Sequence, residues 1–146
     1  MKRMLLLLLI VLFFPVLCMG ESAIQSEGNM SYIITSEGAV IIDWNNQLPD
    51  VLDATLYVPP TLGGIPVVGI GFDAFDTCNE GPSTQFQLIL PEGITFLEKG
   101  AFQCCNQATV ISLPSTLETI PEGSFIHVTA EIVFPNRNPY FTAENG

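Results

Sequence analysis

The side chains that could do chemistry in this 146-residue chain are 15 acids, one histidine and, beyond residue 20, three cysteines. Asp73 and Asp76 stand three residues apart beside Phe75, and Glu92, Glu98, Glu118 and Glu122 recur in segments rich in turn residues. Two carboxylates hydrolyse a glycosidic bond only across a cleft that sets their separation. Nothing in this spacing builds such a cleft, so these acids are expected to be solvated turn residues. Cys78, Cys104 and Cys105 form no paired CxxC spacing, and His127 is the sole histidine. A zinc site would need a fourth ligand that the spacing does not prepare. Cys104 is expected as an exposed thiol with no neighbouring base to activate it, and His127 as loop decoration. There is also no glycine-rich phosphate loop, nucleophile elbow or HExxH run. The expectation is a non-enzyme without metal or cofactor, and an unrecognised hydrolase is the weakest of the functional alternatives.

The elements that carry these residues announce themselves by repetition. Aligning on a small residue followed by phenylalanine gives Ala74-Phe75, Ala101-Phe102 and Ser124-Phe125. Eleven residues earlier stand Gly64, Pro91 and Pro114; at eight, Val67, Ile94 and Leu117; at five, Ile70, Leu97 and Ile120. Three residues after the phenylalanines come Cys78, Cys105 and Val128. These aliphatics and phenylalanines are the predicted core. Before each proline, Leu88 and Leu90, Ile111 and Leu113, and Ile132 and Phe134 alternate with period two, which reads as a short strand closed by proline. A coil of this kind cannot bury its own apolar side, and stacking against neighbours does. The predicted fold is therefore a solenoid of about three stacked coils with a short parallel β-sheet.

If those residues face inward, Gln87, Ile89, Val110, Ser112, Glu131 and Val133 face outward. They form a patch three strands wide, with Ile89, Ser112 and Val133 in one row and Gln87, Val110 and Glu131 in the other. So much apolar surface on a rigid sheet suggests protein contact, although small β-formers also suit a strand for its own sake.

Ahead of the repeats, Tyr32 to Ile34 and Ala39 to Ile42 flank a Thr-Ser-Glu-Gly turn and predict a β-hairpin. A third strand over Thr55 to Val58 is expected to help it cover the open first coil. At the start, Lys2 and Arg3 precede an apolar run from Met4 to Met19, the layout of a secretory signal peptide cleaved after Gly20. An uncleaved anchor, or a lipid on Cys18, is the alternative. The predicted organisation is residues 1–20 as signal peptide, 21–60 as β-rich cap and 61–146 as repeats with a partial or degenerate last unit. Cleavage removes two of the four basic residues and no acid, carrying the formal charge from −11 to −13. Such a surface repels phosphate backbones, which argues against nucleic acid as a partner.

The stretches Ile65 to Phe75, Ile89 to Cys105 and Ile111 to Phe125 resemble the BspA-like, or Treponema-type, leucine-rich repeats. The family pattern has isoleucine and leucine before proline, aliphatics three and six residues after it, then alanine-phenylalanine followed by cysteine. The middle unit follows it closely; the first has Gly64 for proline, and the last has Ser124 for alanine and Val128 for cysteine. The resemblance runs from about Tyr32 to the end and implies a secreted or cell-surface protein, several members being adhesin-like. It points to a host or cell-surface protein as partner, with membrane contact only through an uncleaved leader. A passive envelope or secreted structural protein is the alternative. It also implies that Cys78 and Cys105 are buried thiols in a ladder, although equivalent positions about 5 Å apart would also be within reach of a disulfide. Asn138-Pro139-Tyr140-Phe141 resembles a degenerate unit. Without a polar cap, the last coil is expected to fray, to be covered by a partner, or to self-associate.

Overall fold

Apolar side chains at every second residue, punctuated by proline and glycine, predict strands, and the computed structural model of the chain is built of them. It describes residues 23–45, 54–76 and 85–141. The expected signal peptide, the loop around Asn79 to Thr84, Cys78 and the final Asn145-Gly146 lie outside these. Among the described residues there are ten strands and no helix, and hence none long and apolar enough to cross a membrane.

Four strands form the front sheet: β4 (Ala54–Tyr57), β7 (Phe86–Ile89), β9 (Ala108–Ser112) and β10 (Glu131–Val133). They lie in the order β10-β9-β7-β4, and each neighbouring pair is parallel. Leu56, Leu88, Ile111 and Ile132 occupy one register row. Leu88 and Ile111 are fully buried, and Leu56 and Ile132 pack against the core from the two ends.

The second sheet is mixed. β1 (Gln25–Glu27), β2 (Met30–Ile34) and β3 (Ala39–Trp44) run antiparallel. The hairpin turn is held by Thr35, whose N–H and hydroxyl both donate to the Gly38 carbonyl. β3 then pairs in parallel with β6 (Ile65–Ile70), matching Ala39 to Val67 and Ile41 to Ile70. β6 pairs in turn with the two-residue β8 (Phe96–Leu97), and Phe96 bridges to Thr119. β5 (Thr61–Leu62) makes a tight antiparallel hairpin with β6. The hairpin β2–β3 therefore occupies the place of a preceding repeat, lending its second strand to the same ladder. Phe96 lies across Gly69, where a Cβ would collide with its ring; only glycine allows this approach.

Between the sheets runs an aromatic column. Phe75 and Phe102 stack with centroids 5.4 Å apart, and Phe102 and Phe125 at 5.3 Å with planes 7° apart. Trp44 continues it upward, 5.5 Å from Phe75, and meets Phe86 edge-on at 5.3 Å. Val67, Ile70, Ile94, Leu97 and Leu117 are buried around it, and Ile120 and Phe125 are partly buried. Two residues before each phenylalanine the backbone is left-handed: φ is 53° at Asp73, 75° at Gly100 and 89° at Gly123. Two of the three repeats meet this need with glycine, which reaches φ > 0 without steric penalty.

Two expectations change. β4 does not cover the first repeat; it is that repeat's front strand. Val58 donates its N–H to the Ile89 carbonyl (3.0 Å) just as Leu90 does to Ser112 and Leu113 to Val133. Pro59, not Gly64, thus stands where Pro91 and Pro114 stand, and the β5–β6 turn is extra chain inserted after it. The segment after β10 also does more than trail away. Asn138 is buried; its side-chain amide donates to the carbonyls of Leu117 (2.8 Å) and Pro114 (3.3 Å), and its Oδ1 accepts from Tyr140 N (2.7 Å) and Phe141 N (2.9 Å). All of its hydrogen-bonding atoms are engaged, as a buried amide requires. Phe141 lies over Phe134 at 6.1 Å.

Candidate protein-binding face

On the front sheet, side chains that alternate with the inward leucines and isoleucines must point away from the core. The register lines them up in two rows. Thr55, Gln87, Val110 and Glu131 form one; Tyr57, Ile89, Ser112 and Val133 form the other. At about 4.8 Å per strand each row is about 14 Å long. The first row is polar apart from Val110. The second is apolar apart from Ser112, with Tyr57 68 % exposed at one end, Ile89 and Val133 half-buried, and Ser112 only 9 % exposed. The six residues named from sequence thus share one surface, and the structure adds Thr55 and Tyr57. The signal for these two was present. Leu56-Tyr57-Val58-Pro59 repeats the strand-then-proline pattern of Leu88-Ile89-Leu90-Pro91, Ile111-Ser112-Leu113-Pro114 and Ile132-Val133-Phe134-Pro135.

The chemically capable residues lie elsewhere. The Glu92 carboxylate accepts from the Ser115 N–H (3.2 Å), the Ser115 hydroxyl (2.9 Å) and the Asn136 amide (3.1 Å). Burial pushes its pKa upward, but these hydrogen bonds and one from the Thr116 backbone outweigh it, so the net shift is downward. Glu98 accepts from the Phe72 N–H at 2.9 Å. These two acids were expected to be merely solvated; they brace adjoining repeats, because each turn leaves backbone N–H groups facing the next one's acid. Asp73 is different: partial burial of its carboxylate, and then the charge on Asp76, raise its pKa, and its Oδ1 is buried without a hydrogen bond. Glu118, Glu122 and His127 are exposed. Among the described residues no group of three or more His, Cys, Asp or Glu is placed to hold a metal.

The cysteines correct one expectation. Cys104, expected as an exposed thiol, is disulfide-bonded, whereas Cys105 is a buried thiol outside any disulfide. The disulfide alternative for Cys105 is thereby overturned, and Cys78 lies outside the described residues. The cause is local: Cys105 faces the core, while Cys104 has left-handed backbone (φ 57°) and leaves the core side to its neighbour.

No protein-family model matches the chain, and no curated protein is significantly similar to it. Two solved structures are similar. One is the T. pallidum leucine rich repeat protein TpLRR, at 23 % identity and a TM-score of 0.61, covering 76 % of this chain and 50 % of that one. The other is a leucine rich cell surface protein from Faecalibacterium prausnitzii A2-165, at 19 % identity and a TM-score of 0.51, covering 77 % of this chain and 33 % of that one. The chain thus spans half or less of the length of either. At these identities the likeness establishes the fold, which is leucine-rich-repeat-like, and nothing of the activity.

Proposed function

We propose that this chain is an exported leucine-rich-repeat protein of the BspA-like kind, a short solenoid at the cell surface or secreted, that binds a protein partner with the outward face of its front sheet. The observation that carries the reading is the row Tyr57, Ile89, Ser112 and Val133, an apolar strip on a sheet whose other side is already packed. Exposed apolar area on a rigid repeat surface is characteristic of contact sites. A surface or matrix protein is the fitting partner, because the acidity of the chain disfavours nucleic acid. The apolar leader Met4 to Met19 supports export, and the cell-surface description of the F. prausnitzii protein agrees with it.

Val110→Asp combined with Val133→Asp places one charge on the strip and one in the row beside it without touching inward residues. The double variant is expected to unfold at the wild-type temperature and to lose attachment to immobilised host-surface and matrix extracts. Equal retention of wild type and variant would refute the reading.

A further inference from the structure

At the β4 end of the front sheet, no strand among the described residues pairs with the outer edge. The Val58 N–H bond to Ile89 fixes the phase of the ladder. In a parallel sheet a residue's N–H and C=O point to the same side and alternate along the strand. Thr55 and Tyr57 therefore turn both groups away from β7, and no described residue hydrogen-bonds to them. Two of the other outer strands carry a guard: β1 has Glu27 and β10 has Glu131. β4 is Ala-Thr-Leu-Tyr, with neither charge nor proline within it, which leaves it able to pair with another chain.

Beside this edge lies a cavity of about 280 Å³. Met30, Trp44, Leu56 and Leu62 line it, and Glu27 and Tyr57 border it. It is smaller than the roughly 300–1,000 Å³ usual for drug-sized ligands and suits a single large side chain. Trp44 is 4 % exposed, and its Nε1–H is buried without an acceptor, a rare condition in a folded protein.

We infer that the β4 edge and the adjoining cavity recognise an extended peptide segment of the protein partner, which adds a strand beside Thr55 and Tyr57 and places one large apolar side chain in the cavity. Main-chain pairing supplies affinity in such strand addition, and the pocket supplies selectivity. Charge complementarity fixes the flanks of the segment: the chain carries −11 overall, Glu27 stands at the cavity, and neither Lys99 nor Arg137 lines it, so basic residues on either side of the apolar one fit best. The inference rests on the protein-binding reading and narrows it to an extended, basic-flanked segment.

Trp44 is the only tryptophan in the chain, so its emission reports on the cavity alone. The probe is the acetylated, amidated pentapeptide Lys-Thr-Phe-Thr-Lys, titrated into the purified protein. A saturable emission change is expected. Replacing the probe's phenylalanine with glycine should weaken binding about tenfold or more, and N-methylating its backbone should weaken it about tenfold. Thr55→Pro removes an edge donor at a position where a strand tolerates proline; it should weaken binding to a similar degree while thermal unfolding stays unchanged. No saturable change with the parent peptide, or equal affinity for the N-methylated one, would overturn the inference. The Val110→Asp, Val133→Asp variant separates the two proposals. Peptide binding retained while attachment is lost supports the edge site; face-dependent attachment without peptide binding overturns the edge site alone.

Discussion

Phe102 and Phe125 belong to one column, with rings 5.3 Å apart and nearly parallel, yet Phe102 is fully buried and Phe125 only partly. The same contrast holds at two further positions of the repeat, Leu97 and Cys105 being buried where Ile120 and Val128 are half-buried, while Leu117 is as buried as Ile94. The side chains are alike in type, and the backbone turns two residues before each phenylalanine are left-handed in both. What differs is the neighbour. A middle repeat is sandwiched, while the last is roofed on one side by a few residues around Asn138 and Phe141. Burial in this fold is a property of the stack.

The sharpest way to break that statement is to truncate both rings. Phe102→Ala should lose about 3–5 kcal/mol of stability in chemical denaturation. Phe125→Ala, removing a half-buried ring with less packed around it, should lose about 1–2 kcal/mol. Equal losses would mean that the last repeat is sandwiched after all. Next comes the roof itself. Asn138→Ala strands the carbonyl of Leu117 and the amides of Tyr140 and Phe141 and leaves the Pro114 carbonyl only its bond from the Leu117 N–H, and should cost about 2–3 kcal/mol. Faster hydrogen exchange should appear at Tyr140 and Phe141 while the amides of β7 keep their protection.

The smallest effect extends the comparison to the first repeat, where Asp73 occupies the position held by Gly100 and Gly123. Burial and Asp76 raise the pKa of Asp73. The folded state therefore holds this proton more tightly than the unfolded chain, and ionisation weakens folding as pH rises through the raised value. Asp73→Asn keeps a side chain tolerant of left-handed backbone and removes the charge. It should gain about 0.5 kcal/mol at neutral pH, allowing for solvent screening. The gain should disappear as pH falls through the Asp73 pKa. A gain that is the same at acid pH would assign the effect to backbone geometry instead of charge.

The phenylalanine column and the front strands were legible in sequence because their spacing is enforced three times over. Alternation alone also named the six outward residues on β7, β9 and β10. It missed Thr55 and Tyr57 because β5 and its turn displace the first repeat, so that counting back from Phe75 meets Gly64 when the matching proline is Pro59. The back ladder was invisible for a different reason: β8 has two residues and Thr119 contributes one bridge, too short for any periodicity to register. Cys104 and Cys105 were confused because adjacent residues exchange inside for outside at a left-handed turn, and nothing in the pair of letters marks where that turn falls. Asn138 could have been suspected only from its place in the degenerate unit, since its four partners come from carbonyls and amides that carry no side-chain signature.

The ties between repeats share one more property. Glu92 to Ser115, Phe86 to Thr109, Ile94 to Thr116 and Glu98 to Phe72 join residues 22 to 26 positions apart. Each of these four bonds closes a loop of about the same size, so each repeat they join adds nearly the same ordering entropy and nearly the same reward. Under tension, a stack wired in this way is held by many short ties of similar reach, up to the covalent disulfide at Cys104, which pulling alone does not break. Beyond Cys104 it yields from the half-buried last repeat inward, some 23 residues releasing about 80 Å of contour.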